Sequence, residues 1–175
     1  MLGVREAPDK VIGGVYVQHL SRNDVVAVHE VFDGLSPDSR FARYHTGTPT
    51  LPSGSMALLR RVDGVDVAAL AARDRAGSAI GMVWLIRTSE CDAELAIEVV
   101  DAWHRCGVGR KLFMAAEAAA MEMGIGCLRA DLLATNRAAA HLIGKMAPQA
   151  TVIKEGPELA FEWRPLRRRQ AQVVA

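Results

Sequence analysis

One segment of this chain, residues 99–110, constrains the fold more than any other. It carries two glycines, Gly107 and Gly109, between a run rich in β-branched residues and an alanine-rich run. That pattern predicts a strand, a tight turn and a helix in this order. Because glycine has no Cβ atom, the amides of residues 105–110 can point together at the helix N-terminus, where the helix dipole favours an anion. The segment therefore predicts a loop that binds a pyrophosphate.

The residues of this loop leave two other interpretations open, a dinucleotide-binding loop and a purely structural turn. The dinucleotide fingerprint G-x-G-x-x-G needs a third glycine, but Leu112 stands at that position. Asp131 lies at a suitable distance downstream for a ribose contact, yet it falls inside a predicted strand rather than at its end. The other interpretation is purely structural, with two glycines that serve only a tight connection between strand and helix.

Composition predicts one globular domain. The 175 residues are enough for one domain and too few for two ordinary ones. The net charge of +1, from 21 basic and 20 acidic residues, argues against a nucleic-acid-binding protein. The odd number of cysteines, three, favours a reducing, cytoplasmic setting. We expect no membrane partner, because signal-peptide and membrane-span patterns are lacking, and no metal, because the histidines lack ligand spacing.

Hydrophobic periodicity predicts an α+β fold, with a β-meander followed by alternating strands and helices. Ser21 with Asp24 resembles a capping box for the first helix. Ser36 and Pro37 suit the start of the second helix, and Ser53 suits the cap of the third. Strands are expected at residues 15–20, 67–73, 79–87, 94–100, 127–134, 150–154 and 159–163. Helices are expected at residues 22–32, 38–44, 53–62, 111–123 and 136–146.

The loop resembles motif A of the GNAT N-acetyltransferases, V-x-x-x-x-[Q/R]-x-x-G-x-[G/A]. Val99, Gly107 and Gly109 match this motif, and His104 stands where the family has Gln or Arg. The resemblance implies that the loop binds the pyrophosphate of acetyl-CoA. The cofactor-binding residues that it implies are Val99, His104, Arg105, Cys106, Gly107, Val108, Gly109, Arg110 and Asn136.

Asn136 belongs to a second stretch, residues 134–146, that is similar to the family's second cofactor segment. The same asparagine suits a helix N-cap, and the two roles are compatible. The resemblance covers residues 12–165, with residues 1–11 and 166–175 as terminal extensions. It implies a GNAT fold, with a mixed, mostly antiparallel central sheet of six to seven strands flanked by about four to five helices.

Within that family, residues 35–41, 65–70 and 93–97 are similar to stretches in the acetyltransferase domain of bacterial protein lysine acetyltransferases. Acetyl transfer needs a neutral amine, and a lysine with a pKa of about 10.4 is only ~0.1% neutral near pH 7.4, so a general base is expected. Strand alternation places Glu94, Ala96 and Glu98 on one face. The resemblance assigns the base to Glu94, with Glu98 as a reserve that acts through water or contacts the ammonium. A solvated face for both carboxylates stays open.

Other chemistry is less well supported. Many relatives have a tyrosine as general acid after the second segment, but the two tyrosines here are Tyr16 and Tyr44. Cys106 lies between Arg105 and Arg110, which favours a lowered thiol pKa, but the sequence shows no His–Asp pair to support an acetyl-cysteine mechanism.

The expected function is that of an acetyl-CoA-dependent N-acetyltransferase. It would move an acetyl group directly to a primary amine, a protein lysine first and a small amine second, as a monomer or homodimer. The alternative is a GNAT-fold module that binds acyl-CoA without catalysis, as a sensor or partner subunit. His104 in the Gln/Arg position and the missing tyrosine keep that alternative open.

Overall fold

The computed structural model describes residues 14–166 and 173–174. These residues form one sheet with the strand order β6-β7-β5-β4-β3-β2-β1-β8. The strands are β1 (Tyr16–His19), β2 (Val67–Arg73), β3 (Ala79–Arg87), β4 (Asp92–Val99), β5 (Cys127–Leu133), β6 (Thr151–Glu155), β7 (Glu158–Trp163) and the two-residue β8 (Val173–Val174). The helices are α1 (Val25–Asp33), α2 (Pro37–Tyr44), α3 (Ser53–Arg60), α4 (Val108–Glu122) and α5 (Arg137–Met146).

The sheet is mostly antiparallel, which confirms the predicted α+β architecture. Its seven longer strands include one parallel pair, β4 with β5, and α4 makes the crossover between them. The short β8 adds a second parallel pairing, beside β1. Five helices cover the sheet, in agreement with the expected number.

The parallel pair is joined over only a short stretch. Residues Asp92–Glu94 of β4 pair with Cys127–Arg129 of β5, and the two strands then separate. Beyond this point β5 continues to pair with β7 as far as Leu133. The separation leaves a V-shaped gap in the middle of the sheet, closed at Glu94 and open toward the carboxyl ends of both strands.

The two faces of the sheet bury separate cores. One core joins the sheet to α4 and α5, and it includes Phe113, whose ring stacks on that of Trp163 with centroids 5.4 Å apart. The other core joins the sheet to α1 and α3, and it includes Val31, Leu59 and Trp84. The gap between β4 and β5 therefore opens between two independently packed layers.

Two predicted helix starts, those of α1 and α4, were wrong by three residues each, and the predicted Ser53 cap of α3 was also wrong. The Asp24 carboxylate accepts bonds from the Ser21 amide and hydroxyl, which closes a turn, so α1 begins after Asp24 rather than at residue 22. Ser53 is the first residue of α3 and caps nothing with its side chain. Helix α4 starts at Val108 because Val108 is already buried in the core.

The predicted Ser36 cap and first-turn proline of α2 are confirmed, and the helix begins one residue before the predicted range. Pro37 is its first residue, and the Ser36 hydroxyl accepts a hydrogen bond from the Ser39 amide at 3.2 Å. The predictions for residues 1–11, and for most of the extension at 166–175, lie outside the described residues.

Candidate active site

The glycine loop presents free backbone donors at the open end of the gap. A 3₁₀ turn, Asp101–Trp103, follows β4, and the chain then passes through left-handed conformations at Arg105 (φ 60°) and Gly107 (φ 80°). Helix α4 begins directly afterwards. Within residues 14–166, no hydrogen-bond acceptor is found for five amides of this loop and first helical turn, those of Arg105, Gly107, Val108, Gly109 and Arg110. Such a set of convergent amides suits an anion.

Packing alone explains why position 109 is a glycine, whether or not a ligand binds there. A Cβ atom there would meet Leu142 of α5 at 3.2 Å and Val99 of β4 at 3.9 Å. The first turn of α4 therefore lies close against both neighbours. The structural interpretation holds for this glycine, whereas Gly107 is required by its left-handed backbone.

The His104 ring turns back to the end of β4. Its Nε2 atom lies 2.8 Å from the Val99 carbonyl oxygen and 3.9 Å from Asp101 Oδ1. Burial opposes ionisation of Asp101, but hydrogen bonds from Ser36 and Ser39 outweigh it and hold the pKa of this carboxyl below its usual value. His104 is thus tied to the edge of the gap, and its role toward a cofactor stays a prediction.

Amides of β4 also point into the gap. The Val100 amide donates to the Ile80 carbonyl of β3 at 3.0 Å. Because amides of an antiparallel strand alternate in direction, those of Ile97 and Val99 point away from β3, toward β5. They lie past the last β4–β5 residue pair at Glu94, so they are available to an extended ligand in the gap.

Asn136 lies across the gap from these amides. It follows the carboxyl end of β5, and its side chain caps α5 by accepting a bond from the Ala139 amide at 3.1 Å. The capping role is therefore confirmed, and the cofactor role stays a prediction. The same edge of the sheet carries the glycine loop, because β4 and β5 are parallel.

The predicted faces of β4 are confirmed. Leu95, Ile97 and Val99 pack toward the α4 core, and Ala96 packs toward the core of α1 and α3. Glu94 and Glu98 share the face of Ala96. Glu94 is half-buried and forms the last residue pair before the gap.

Glu98 is buried, with only 6% of its surface exposed, so a solvated face is wrong for this residue. Its carboxylate accepts a hydrogen bond from the Tyr44 hydroxyl at 2.9 Å and one from Trp84 Nε1 at 3.3 Å. Burial, and then the charge of Glu98, raise the pKa of the Tyr44 phenol well above its usual value. Tyr44 therefore stays protonated and acts as a hydrogen-bond donor at neutral pH.

Tyr44 is the site residue that sequence reasoning missed. It is the last residue of α2, and 54 positions separate it from Glu98, so no local pattern indicated the contact. Helix α2 contributes no buried residue and contacts both β4 and β5. Polar bonds hold it there: Ser36 to Asp101 at one end, and Tyr44 to Glu98 at the other.

Neither a reactive cysteine arrangement nor a metal-binding group is found at the site within the described residues. Cys106 is half-buried, and its thiol donates a hydrogen bond to the His104 carbonyl at 3.5 Å. In the described part of the chain, no group of three or more His, Cys, Asp or Glu side chains is arranged to hold a metal ion. None of the described helices has the length and apolarity needed to cross a bilayer.

Comparisons with known proteins agree with this geometry. The model of the acetyltransferase (GNAT) family matches residues 28–147. The chain is similar in fold to the GNAT domain of S. lividans PAT, with 23% identity, a TM-score of 0.73, and coverage of 85% of this chain and 89% of that one. No curated protein matches the chain.

Two further solved structures share the fold. The yncA protein from Salmonella typhimurium, solved with its cofactor acetyl-CoA, is 16% identical, with a TM-score of 0.69 and coverage of 92% and 99%. The GNAT-family acetyltransferase from Streptococcus pneumoniae is 17% identical, with a TM-score of 0.69 and coverage of 86% and 98%. Since the family model covers more than half of the sequence, this chain belongs to the GNAT family of acetyltransferases.

Proposed function

We propose that this protein is an acetyl-CoA-dependent N-acetyltransferase that acts on a primary amine. The observation that carries the proposal is the gap between β4 and β5, which ends at the free amides of the glycine loop. An extended chain in the gap can hydrogen-bond to the amides of Ile97 and Val99. A pyrophosphate at its end fits the amides at the start of α4, where the helix dipole also favours negative charge.

The residues that would hold acetyl-CoA are those of the loop and its two flanks. Residues 105–110 offer backbone donors to the pyrophosphate, and Arg105 and Arg110 add positive charge. Val99 borders the gap on β4, and Asn136 lies at the end of β5. When bound, acetyl-CoA supplies the activated acetyl group as a thioester.

Glu94 is proposed as the general base. It lies at the closed end of the gap, on the face opposite the α4 core, and it is half-buried. An alkyl ammonium with a pKa near 10.4 is almost fully protonated at pH 7.4, which corresponds to about 4 kcal/mol of barrier. A carboxylate positioned at the acceptor nitrogen removes this barrier by accepting the proton.

The proposed acceptor is a protein lysine, with a small amine as the second choice. The support comes from residues 35–41, 65–70 and 93–97, which are similar to stretches of bacterial protein lysine acetyltransferases, and from the fold shared with the GNAT domain of S. lividans PAT. A lysine side chain is a primary amine on a flexible stem, which suits a reacting site placed inside the sheet.

Turnover tests the proposal most simply. The purified protein is mixed with acetyl-CoA and either a lysine-containing peptide or a small alkylamine, and released thiol and product mass are followed. We expect CoA release to match amide formation, with the peptide the better acceptor. Thiol release without amide, or no product with any amine, would count against the proposal.

One observation favours a second function, a module that binds acyl-CoA without catalysis. His104, in the position of the family's Gln or Arg, is bonded to the Val99 carbonyl rather than extended over the loop. Such a module would be stabilised by CoA in a thermal melt and would give no product over a broad panel of amines and proteins. Turnover on any amine excludes it.

A further inference from the structure

Glu98 is a buried carboxylate whose described partners are all uncharged. The Tyr44 hydroxyl and the Trp84 indole each donate one hydrogen bond to it, and no ion pair of Glu98 is found within residues 14–166. Arg43, the cation next to Tyr44, stacks over the tyrosine ring with its guanidinium 5.1 Å from the ring centroid. These neighbours therefore orient the Glu98 carboxylate but do not neutralise its charge.

Burying the charged Glu98 carboxylate without a cation beside it costs free energy. Two neutral hydrogen bonds satisfy part of the carboxylate, but they do not replace the hydration that a buried charge has lost. A cation close to the carboxylate regains Coulomb energy that is larger in this low-dielectric setting than in water. Tyr44 stays a donor throughout, because burial and Glu98 raise the pKa of its phenol.

The strand offers a place for that cation beside Glu94. Ala96 lies between Glu94 and Glu98 on the same face, directly opposite Trp84 on β3. At roughly 3.3 Å per residue, the Cα atoms of the two glutamates are about 13 Å apart, so a group above Ala96 is within reach of both side chains. Ala96 is half-buried and carries a single methyl group, so its own side chain does not separate the two glutamates.

Resting on the proposed function, we propose that Glu98 is the residue that selects a positively charged acceptor. The two carboxylates have different roles. Glu98 attracts and orients the alkyl ammonium, and Glu94 accepts its proton. Tyr44 and Trp84 are positioning residues that fix the Glu98 carboxylate. The substrate class is then an alkylamine that arrives protonated, such as a lysine side chain, rather than an amine that is neutral at the same pH.

The test compares two acceptors on Glu98→Gln. Glutamine keeps the shape, and its amide can still bond to the Tyr44 hydroxyl, but it carries no charge. We expect kcat/KM for an alkylammonium acceptor to fall at least tenfold, mainly through KM. For an aromatic amine, which is neutral at pH 7.5, we expect a change of less than twofold. Glu90→Gln, an exposed glutamate just before β4, is the matched control and should alter neither value.

Binding provides a second readout that does not need turnover. With the protein saturated by CoA, calorimetry should show the lysine peptide binding at least tenfold more weakly to Glu98→Gln than to the wild type. Equal losses for both acceptors, or equal peptide affinities, would overturn the role of Glu98. Wild-type protein that binds the peptide in this charge-dependent way but forms no product would instead overturn the proposed function alone.

Discussion

The two sides of β4 present different parts of the chain to their proposed ligands. On the proposed cofactor side, the glycine loop and the gap present backbone amides, and the His104 ring turns back to the Val99 carbonyl. On the proposed acceptor side, β4 presents the side chains of Glu94 and Glu98, and Tyr44 of α2 donates a hydrogen bond to Glu98. From this difference we expect ligand binding to depend on backbone conformation at the first site and on residue identity at the second. On the cofactor side, a substitution should therefore weaken binding when it changes the backbone conformation. On the acceptor side, it should do so when it removes a charge or a hydrogen bond.

The largest effect is expected for Glu94→Gln on the acceptor side. Loss of a general base should lower kcat/KM for an alkylamine by about 10²–10⁴-fold at pH 7, with CoA binding unchanged. The variant depends on acceptor that is already neutral, and this fraction rises tenfold per pH unit below a pKa of about 10.4. The deficit should therefore shrink between pH 7 and pH 9. Rates equal to those of Glu90→Gln across this range would remove Glu94 from the mechanism.

Tyr44→Phe tests the link between α2 and Glu98. It keeps the ring that stacks with Arg43 but removes a hydrogen bond to a charged group, at a cost of about 1.5–3 kcal/mol in unfolding free energy. Denaturant unfolding measures this cost, and Tyr16→Phe, on β1, is the control.

The difference in stability between the wild type and Tyr44→Phe should also depend on pH. The folded protein raises the pKa of Tyr44, so the unfolded state releases this proton first as the pH rises above about 10. The wild type should therefore lose stability relative to Tyr44→Phe above pH 10. A stability difference that stays constant from pH 8 to pH 11 would contradict the burial of this phenol against Glu98.

Gly107→Ala tests the conformational side of the comparison. A Cβ atom at φ 80° costs roughly 1–2 kcal/mol, and the loop should relax away from the arrangement that points its amides together. We expect about tenfold weaker CoA binding by calorimetry. Gly124→Ala is the matched control, since Gly124 is also left-handed (φ 75°) and ends α4 at the far side. It should lose similar stability and keep its CoA affinity.

The smallest effect is expected for Cys106→Ser. The thiol donates to the His104 carbonyl, and the proposed role of the loop uses the Cys106 position for its backbone and not for its thiol. CoA affinity and kcat should each change by less than twofold. A loss of turnover beyond tenfold would point to an acetyl-cysteine mechanism instead.

Sequence reasoning predicted the glycine loop and the face shared by Glu94 and Glu98 because these signals are local. The spacing of Gly107 and Gly109, and the alternation that puts Glu94 and Glu98 on one face, can be recognised within about fifteen residues. The acceptor side depends on contacts between distant segments, such as Tyr44 with Glu98 and Ser36 with Asp101, which no periodicity records. The capping rule paired Ser21 with Asp24 correctly but placed the start of α1 three residues too early, because the residues between them form a separate turn.

The central claim is that the gap and the glycine loop form an acetyl-CoA site. Calorimetry of the wild-type protein with acetyl-CoA, and with NAD as the competing pyrophosphate ligand, tests it most directly. At 100 times its dissociation constant, a bound ligand also stabilises the fold by about 2.7 kcal/mol, which a thermal melt detects. The account predicts saturable binding of acetyl-CoA at one site per chain and none of NAD. Binding of NAD, or no binding of acetyl-CoA, would contradict it.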